Sequence, residues 1–281
     1  MATDGDVEKH GSHDSVIVSQ VLLEGMLTVE GRLSGASNAT LFCIAELDGV
    51  QFECVYKPVM GERPLWDFPD GTLGHREVAA YEVAATFATV SDDDAVLIPE
   101  TIWREEGPFG AGSCQRWIDV SDTQLVDIIE SQEEQPGWLS VLEASDDFGR
   151  PVQLIHQDDA RLRQMALLDI VTNNSDRKGG HILVDQQGNL FGVDHGLCFN
   201  VEDKLRTVLW GWAGQPLTAD EVTSLDRLRD QLVSGDLGTR LKAHLEPFEL
   251  NISVERIEHL LQQGHFVEPT SRWPSIPWPA F

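Results

Sequence analysis

The chain has 281 residues, enough for one large domain or two lobes with real cores, and an apolar content of 41% with eight Trp excludes a disordered protein. A formal net charge of −27, from 47 acidic against 20 basic residues, argues against general attraction to nucleic acid or to an anionic bilayer. No apolar run reaches the roughly 18 residues of a membrane span, so none is expected.

Residues 1–15 are polar and acidic and lack the basic and apolar regions of a signal peptide, which predicts a disordered lead-in on a cytoplasmic protein. From Val16 to Leu33 the pattern is apolar, broken at Gly25 and Gly31. Leu41–Leu47 and Val50–Tyr56, joined at Asp48-Gly49, predict a β-hairpin. The Pro-, Gly- and aromatic-rich stretch 61–74 predicts a loop, and Gly74–Val90, apolar in helical rhythm, a helix ended by Ser91–Asp94. Short strands are expected at Ala95–Pro99, Thr101–Arg104 and Ser113–Asp119.

Beyond Asp119 the character turns helical. Ser121–Gln132 and Gln157–Thr172 predict amphipathic helices, and Ser140–Phe148 an acidic loop or short helix. A second hairpin is expected over His181–Asp194, with helices at Asp220–Val233, Ser234–Leu245 and Ser253–Gln263. The tail Glu268–Phe281, rich in Pro and Trp, predicts an extended packed strap. The layout is α+β, with a boundary near 117–121. Cys43, Cys54, Cys114 and Cys198 form no C-x-x-C pair, which predicts four buried apolar side chains rather than a zinc site.

Chemistry concentrates in three places. Lys57 ends a strand, where an ammonium can pair with nucleotide phosphates, and Glu77 on the next helix can orient it. The small, donor-rich loop 33–40, with Ser37 and Asn38, can wrap phosphate oxygens. The stretch Asn173–Val184 followed by Val193–Gly196 places Asp176 in a polar loop and Asp194 after a hairpin. Asp176 can accept or orient the proton of an acceptor hydroxyl, and Arg177 can neutralise developing phosphate charge or hold the loop. His181 and Asp194 stand where metal ligands are wanted, with Asp169 and Asn174 bracing the loop. A transition-metal hydrolase built on His181 and His195 fits poorly, because neither H-E-x-x-H nor H-x-H-x-D is present. His156, His244, His259 and His265 are scattered and read as structural.

In this order the small-residue loop, Val55–Pro58, Arg76–Val78, Asn173–Arg177 and Val193–Gly196 resemble the phosphatidylinositol 3- and 4-kinase-like branch of the kinase fold. The loop is most similar to the type II phosphatidylinositol 4-kinase form, and HipA-type bacterial kinases share the layout. Ser37–Thr40, Gly61–Pro69 and Ile276–Phe281 look like a group of actinobacterial proteins labelled phosphatidylinositol-kinase-like, a likeness spanning about residues 16–281. The resemblance implies a two-lobed protein-kinase-like fold, with a β-rich N-lobe over 16–118 and a mainly helical C-lobe over 119–281. It implies that Lys57 binds phosphates, Glu77 pairs with it, Asp176 is catalytic and Asp194 binds Mg²⁺. It further implies that the backbone from Gln115 through Trp117 to Ile118 meets adenine. Two departures stand out: His181 where the family usually has Asn, and His195 where phosphoinositide kinases commonly have Phe.

The function expected is ATP- and Mg²⁺- or Mn²⁺-dependent transfer of the γ-phosphate to a hydroxyl of a protein or a soluble small molecule. The net charge argues against work on an anionic phosphoinositide membrane. The alternatives are a nucleotide-binding pseudokinase and a kinase-fold nucleotidyl transferase that moves AMP. Trp210 and Trp212 are expected to line the acceptor site or to pack in the core.

Overall fold

The computed structural model describes residues 10–33, 38–63, 65, 68, 72–91, 95–131, 135–146, 148–270 and 272–281, with the backbone alone for residues 10–15. The chain is mixed α+β, with antiparallel sheets towards the N-terminus and helices towards the C-terminus.

Helix α1 (His10–Glu24) leads into β1 (Met26–Arg32), β2 (Leu41–Leu47) and β3 (Val50–Pro58). Helix α2 (Leu73–Val90) follows, then β4 (Thr101–Arg104) and β5 (Gly112–Arg116). The five strands form one antiparallel sheet in the order β1-β2-β3-β5-β4. Alternation along β2 and β3 turns Leu41, Cys43, Ala45, Cys54 and Tyr56 to one face, where Val18, Val21 and Leu22 of α1 cover them. All four cysteines are buried free thiols. Arg104 donates to the carbonyls of Leu22 and Gly25, which satisfies acceptors that the end of α1 leaves open. Gly25 is required there, since a Cβ would sit 2.4 Å from the Val21 carbonyl oxygen.

A second antiparallel sheet, order β6-β8-β7, is built from β6 (Val126–Glu130), β7 (Trp138–Ser145) and β8 (Pro151–Gln157). It is followed by α3 (Ala160–Thr172), the hairpin β9 (Ile182–Val184) with β10 (Leu190–Gly192), and the helices α4 (Ala219–Val233), α5 (Asp236–Leu241) and α6 (Pro247–Gln263). The larger core joins α2, α3, α4 and α6 through residues such as Val83, Phe87, Leu162, Leu167, Leu228 and Ile257. Helix α2 thus packs on the first sheet and on the helical part at once.

Several expectations are corrected. Helix α1 begins at His10, inside the stretch 1–15 expected as a disordered lead-in, and residues 1–9 lie outside the described residues. Strand β6 stands where a helix was expected from Ser121, and strand β7 where an acidic loop or short helix was expected from Ser140. The run Val126-Asp-Ile-Ile129 is dense in β-branched residues, which favour a pleated surface. Ala95–Pro99 joins no strand, although Leu97 and Ile98 are buried. Trp210 and Trp212 are 9% and 1% exposed, and their indole N–H groups donate to the Ser275 carbonyl and to Asp158.

Candidate active site

Strand β3 sends Tyr56 under α1 and Lys57 to the opposite face, where it meets α2 and the segment after β10. The Lys57 ammonium pairs with Glu77 Oε1 and lies 3.0 Å from Asp194 Oδ1. Glu77 is 2% exposed, and its other oxygen accepts from the His195 backbone N–H at 2.9 Å. Burial pulls the Lys57 ammonium down, but the Asp194 and Glu77 carboxylates outweigh it and hold it above the ordinary lysine range. Conversely Lys57 keeps Asp194 ionised, well below the usual carboxylate range, against burial. Burial is the larger influence on Glu77 and raises it, with Lys57 opposing.

Asp194 reaches this point because the β9–β10 hairpin is fixed at its turn by Asp185, whose Oδ1 accepts from the Gln187 and Asn189 N–H groups. The chain leaves β10 with Asp194 in the left-handed region at φ 61. Such a conformation is costly for a residue with a side chain and marks positions where the surroundings hold a group in place for function.

Helix α3 delivers the second acid. Asp159 caps its start, and Asn173 at φ 51 ends it. The Asn174 side chain donates to Asp169 and accepts from the Asp176 N–H at 3.0 Å, which shapes the loop. Asp176 Oδ2 lies 3.1 Å from the Lys178 ammonium. Burial raises the Asp176 carboxyl, and Lys178 offsets part of that. His181 donates from Nδ1 to the Asp176 carbonyl at 2.9 Å, so its Nε2 carries the lone pair, 3.5 Å from Asp194 Oδ2. Burial lowers the imidazole, with Asp194 opposing, and this keeps His181 in the neutral, ligating form.

One ligand atom from each of Asp176, His181 and Asp194 lies within 4.8 Å of the others. Two carboxylates and a neutral imidazole at that spacing fit a divalent cation such as Mg²⁺ or Mn²⁺. With Lys57 and Lys178 beside them, the group can hold a metal–polyphosphate and keep a carboxylate available to an entering hydroxyl.

Other sequence candidates lie elsewhere. Of the two roles expected of Arg177, its contacts fit holding the loop rather than facing phosphate: it is 1% exposed and its guanidinium binds both oxygens of Asp169. It also donates to the Val193 carbonyl at 3.2 Å and to His195 Nε2 at 2.6 Å, so it ties the Asp176 loop to the Asp194 segment. His195 is buried and neutral, pushed well below the ordinary range by burial and by Arg177. Asn38, expected to face phosphate oxygens, accepts from the Arg63 N–H at 2.9 Å and so staples two loops together. Ser37 lies outside the described residues. Gln115 is buried and donates to Thr101, and the Trp117 N–H is already given to the Glu53 carbonyl at 3.0 Å. Lys178 carried no role in the sequence reading, although its place beside Asp176-Arg177 was a usable signal. Arg76, which bonds the Cys198 carbonyl and Glu249 and so anchors α2, was missed because its partners lie far along the chain.

The family profile "Phosphatidylinositol 3- and 4-kinase" matches residues 160–222, the stretch that carries Asp176, His181 and Asp194. The chain is also 46% identical over 271 residues to Protein Rv2133c of Mycobacterium tuberculosis, covering 93% of this chain and 94% of that protein.

Proposed function

The chain belongs to the phosphatidylinositol 3- and 4-kinase family, beside Protein Rv2133c, and from that premise we propose that it is an ATP- and divalent-metal-dependent phosphotransferase. It moves the γ-phosphate to a hydroxyl of a protein or a soluble small molecule. In this reading the molecule is a two-lobed kinase-like enzyme, with the first sheet and α2 in an N-lobe ending near residue 118. The observation that carries it is the meeting of Lys57, Glu77, Asp176, His181 and Asp194, delivered from separate segments of the chain.

Each side chain has a task. Lys57, steadied by Glu77, takes the phosphate oxygens and moves off Asp194 to do so. Asp194 and His181 would hold Mg²⁺ or Mn²⁺, with Asp176 close enough to join them. When bound, the cation supplies positive charge that neutralises the polyphosphate. Asp176, made more basic by burial, accepts the acceptor's hydroxyl proton as the oxygen attacks phosphorus and the bond to ADP breaks. Lys178 steers that carboxylate. Arg177 is a positioning residue that keeps Asp176 and Asp194 in register.

The test uses ATP labelled at the γ- or the α-phosphate, with candidate protein and metabolite pools and with the Asp176→Asn variant. Transfer of γ-label, lost by about 10²–10⁴-fold in the variant while ATP binding persists, is the expected result. Transfer of α-label would make the protein an AMP transferase. ATP binding without transfer of either label, unchanged in the variant, would make it a nucleotide-binding pseudokinase and end the enzyme reading.

A further inference from the structure

A cleft of about 940 Å³ opens between α6, the end of α3, the segment 201–214 and the C-terminal strap. Lys57, Asp176, His181 and Asp194 do not line it, so it is separate from the phosphate-transfer site. Its lining includes Trp210, Phe266 and Trp273, and its volume is that of a small-molecule site.

Arg256 of α6 lines the same cleft with only 10% of its side chain exposed. Nη2 donates to the Asn200 carbonyl, but among the described residues the buried Nε and Nη1 have no hydrogen-bond partner. The carboxylate nearest to Nε, Asp203 Oδ1, lies 3.8 Å away on a side chain that is 84% exposed. Burial lowers the guanidinium to about 10, so it stays charged at neutral pH. A buried charged donor without an acceptor is unfavourable, and an acceptor arriving with a ligand relieves it. The exposed rim carries Asp203, Glu255 and Glu268, which repel a multiply charged ligand such as a polyphosphate or a nucleic acid. One negative charge on a flat apolar body suits both the floor and the rim.

We propose that this cleft binds a small aromatic monocarboxylate, its carboxylate on Arg256 and its ring among Trp210, Phe266 and Trp273. The inference stands independently of the phosphotransferase reading.

The test is calorimetric titration of the full chain with benzoate and with indole-3-acetate, and with phenyl phosphate as the more highly charged comparison. Saturable binding of a carboxylate, tighter than that of phenyl phosphate, is expected. Arg256→Met should weaken it by roughly thirtyfold or more, as the loss of a buried charge partner does. His259→Trp, on the exposed side of α6, should block the cleft without touching the core. Both variants should keep the native chain's far-ultraviolet circular dichroism and a single cooperative melt, which shows that they are folded. Absence of saturable carboxylate binding, or binding undiminished in both variants, overturns the proposal, and tighter binding of phenyl phosphate overturns the monoanion assignment.

Discussion

Arg177 and His181 show how one short loop divides structural from chemical work. Arg177 is spent on Asp169, with both side chains 1% exposed. Removing one partner of such a pair leaves an uncompensated buried charge and costs about 3–5 kcal/mol. Arg177→Met should therefore lower stability by about that much in urea titration, with Asp169→Leu recovering part of it in the double variant. A variant that lost transfer at unchanged stability would instead put Arg177 on the phosphate. His181 is the converse case: its Nδ1 is tied to the Asp176 carbonyl and its Nε2 is left for a cation. Imidazole favours Mn²⁺ over Mg²⁺ more than an amide oxygen does. His181→Asn should thus lower the affinity for Mn²⁺ relative to Mg²⁺, measured by thermal shift with a non-hydrolysable ATP analogue. An unchanged ratio would remove His181 from the cation's ligands.

Among elements, α2 decides whether Lys57 has its partner. The helix is held from its far side, where Arg76 reaches the Cys198 carbonyl and Glu249, both in the C-terminal half. Arg76→Met strands Glu249, which is 6% exposed, and should cost about 3–5 kcal/mol. Arg76→Met with Glu249→Met should recover part of the stability, since Glu249 also accepts from the Glu246 N–H at the start of α6, but not the nucleotide affinity, because the reach to Cys198 stays lost. Recovery of both would mean that the pair does not position Glu77. Helix α2 itself was legible from its rhythm, as were α3, α4 and the two hairpins with their Asp-Gly and Gln-Gly-Asn turns. Helix α1 was hidden by its polar start, although Val18, Val21 and Leu22 keep helical spacing. The β6-β8-β7 sheet was hidden because Leu125, Val126 and Ile129 also fit a helical stripe, and β7 is mostly exposed and acidic. At the site, the acids and Lys57 were legible as linear motifs. The directions of Arg177, Asn38 and Arg76 were not, since each is set by a partner distant in sequence or hidden by the fold.

For the whole molecule, buried histidines set the response to acid. His75 and His244 join α2 to the turn after α5, with Nδ1 atoms 2.9 Å apart and His75 stacked on Trp103. Burial lowers both, His244 to about 4, with His75 adding to the effect on His244 and Glu62 and Glu105 opposing it at His75. Burial also lowers His156, whose Nε2 accepts from the Gly211 N–H. A folded-state value below the unfolded one means that the unfolded chain binds more protons between the two. For His244 that stability is fully present above about pH 6.5 and is lost as the pH falls towards about 4, by about 1.4 kcal/mol per pH unit, and His75 and His156 act in the same direction. Glu77 and Asp176, raised by burial, have the opposite sign at the acid end of that window. A comparison of variants isolates the histidine contribution from these carboxylates. Between pH 7 and pH 5, chemical denaturation of His244→Gln should show a shallower loss of stability than the native chain, by close to one proton. An equal or steeper loss would show that the pair does not resist protonation, and the acid response would then belong to His156 and His195 inside the core.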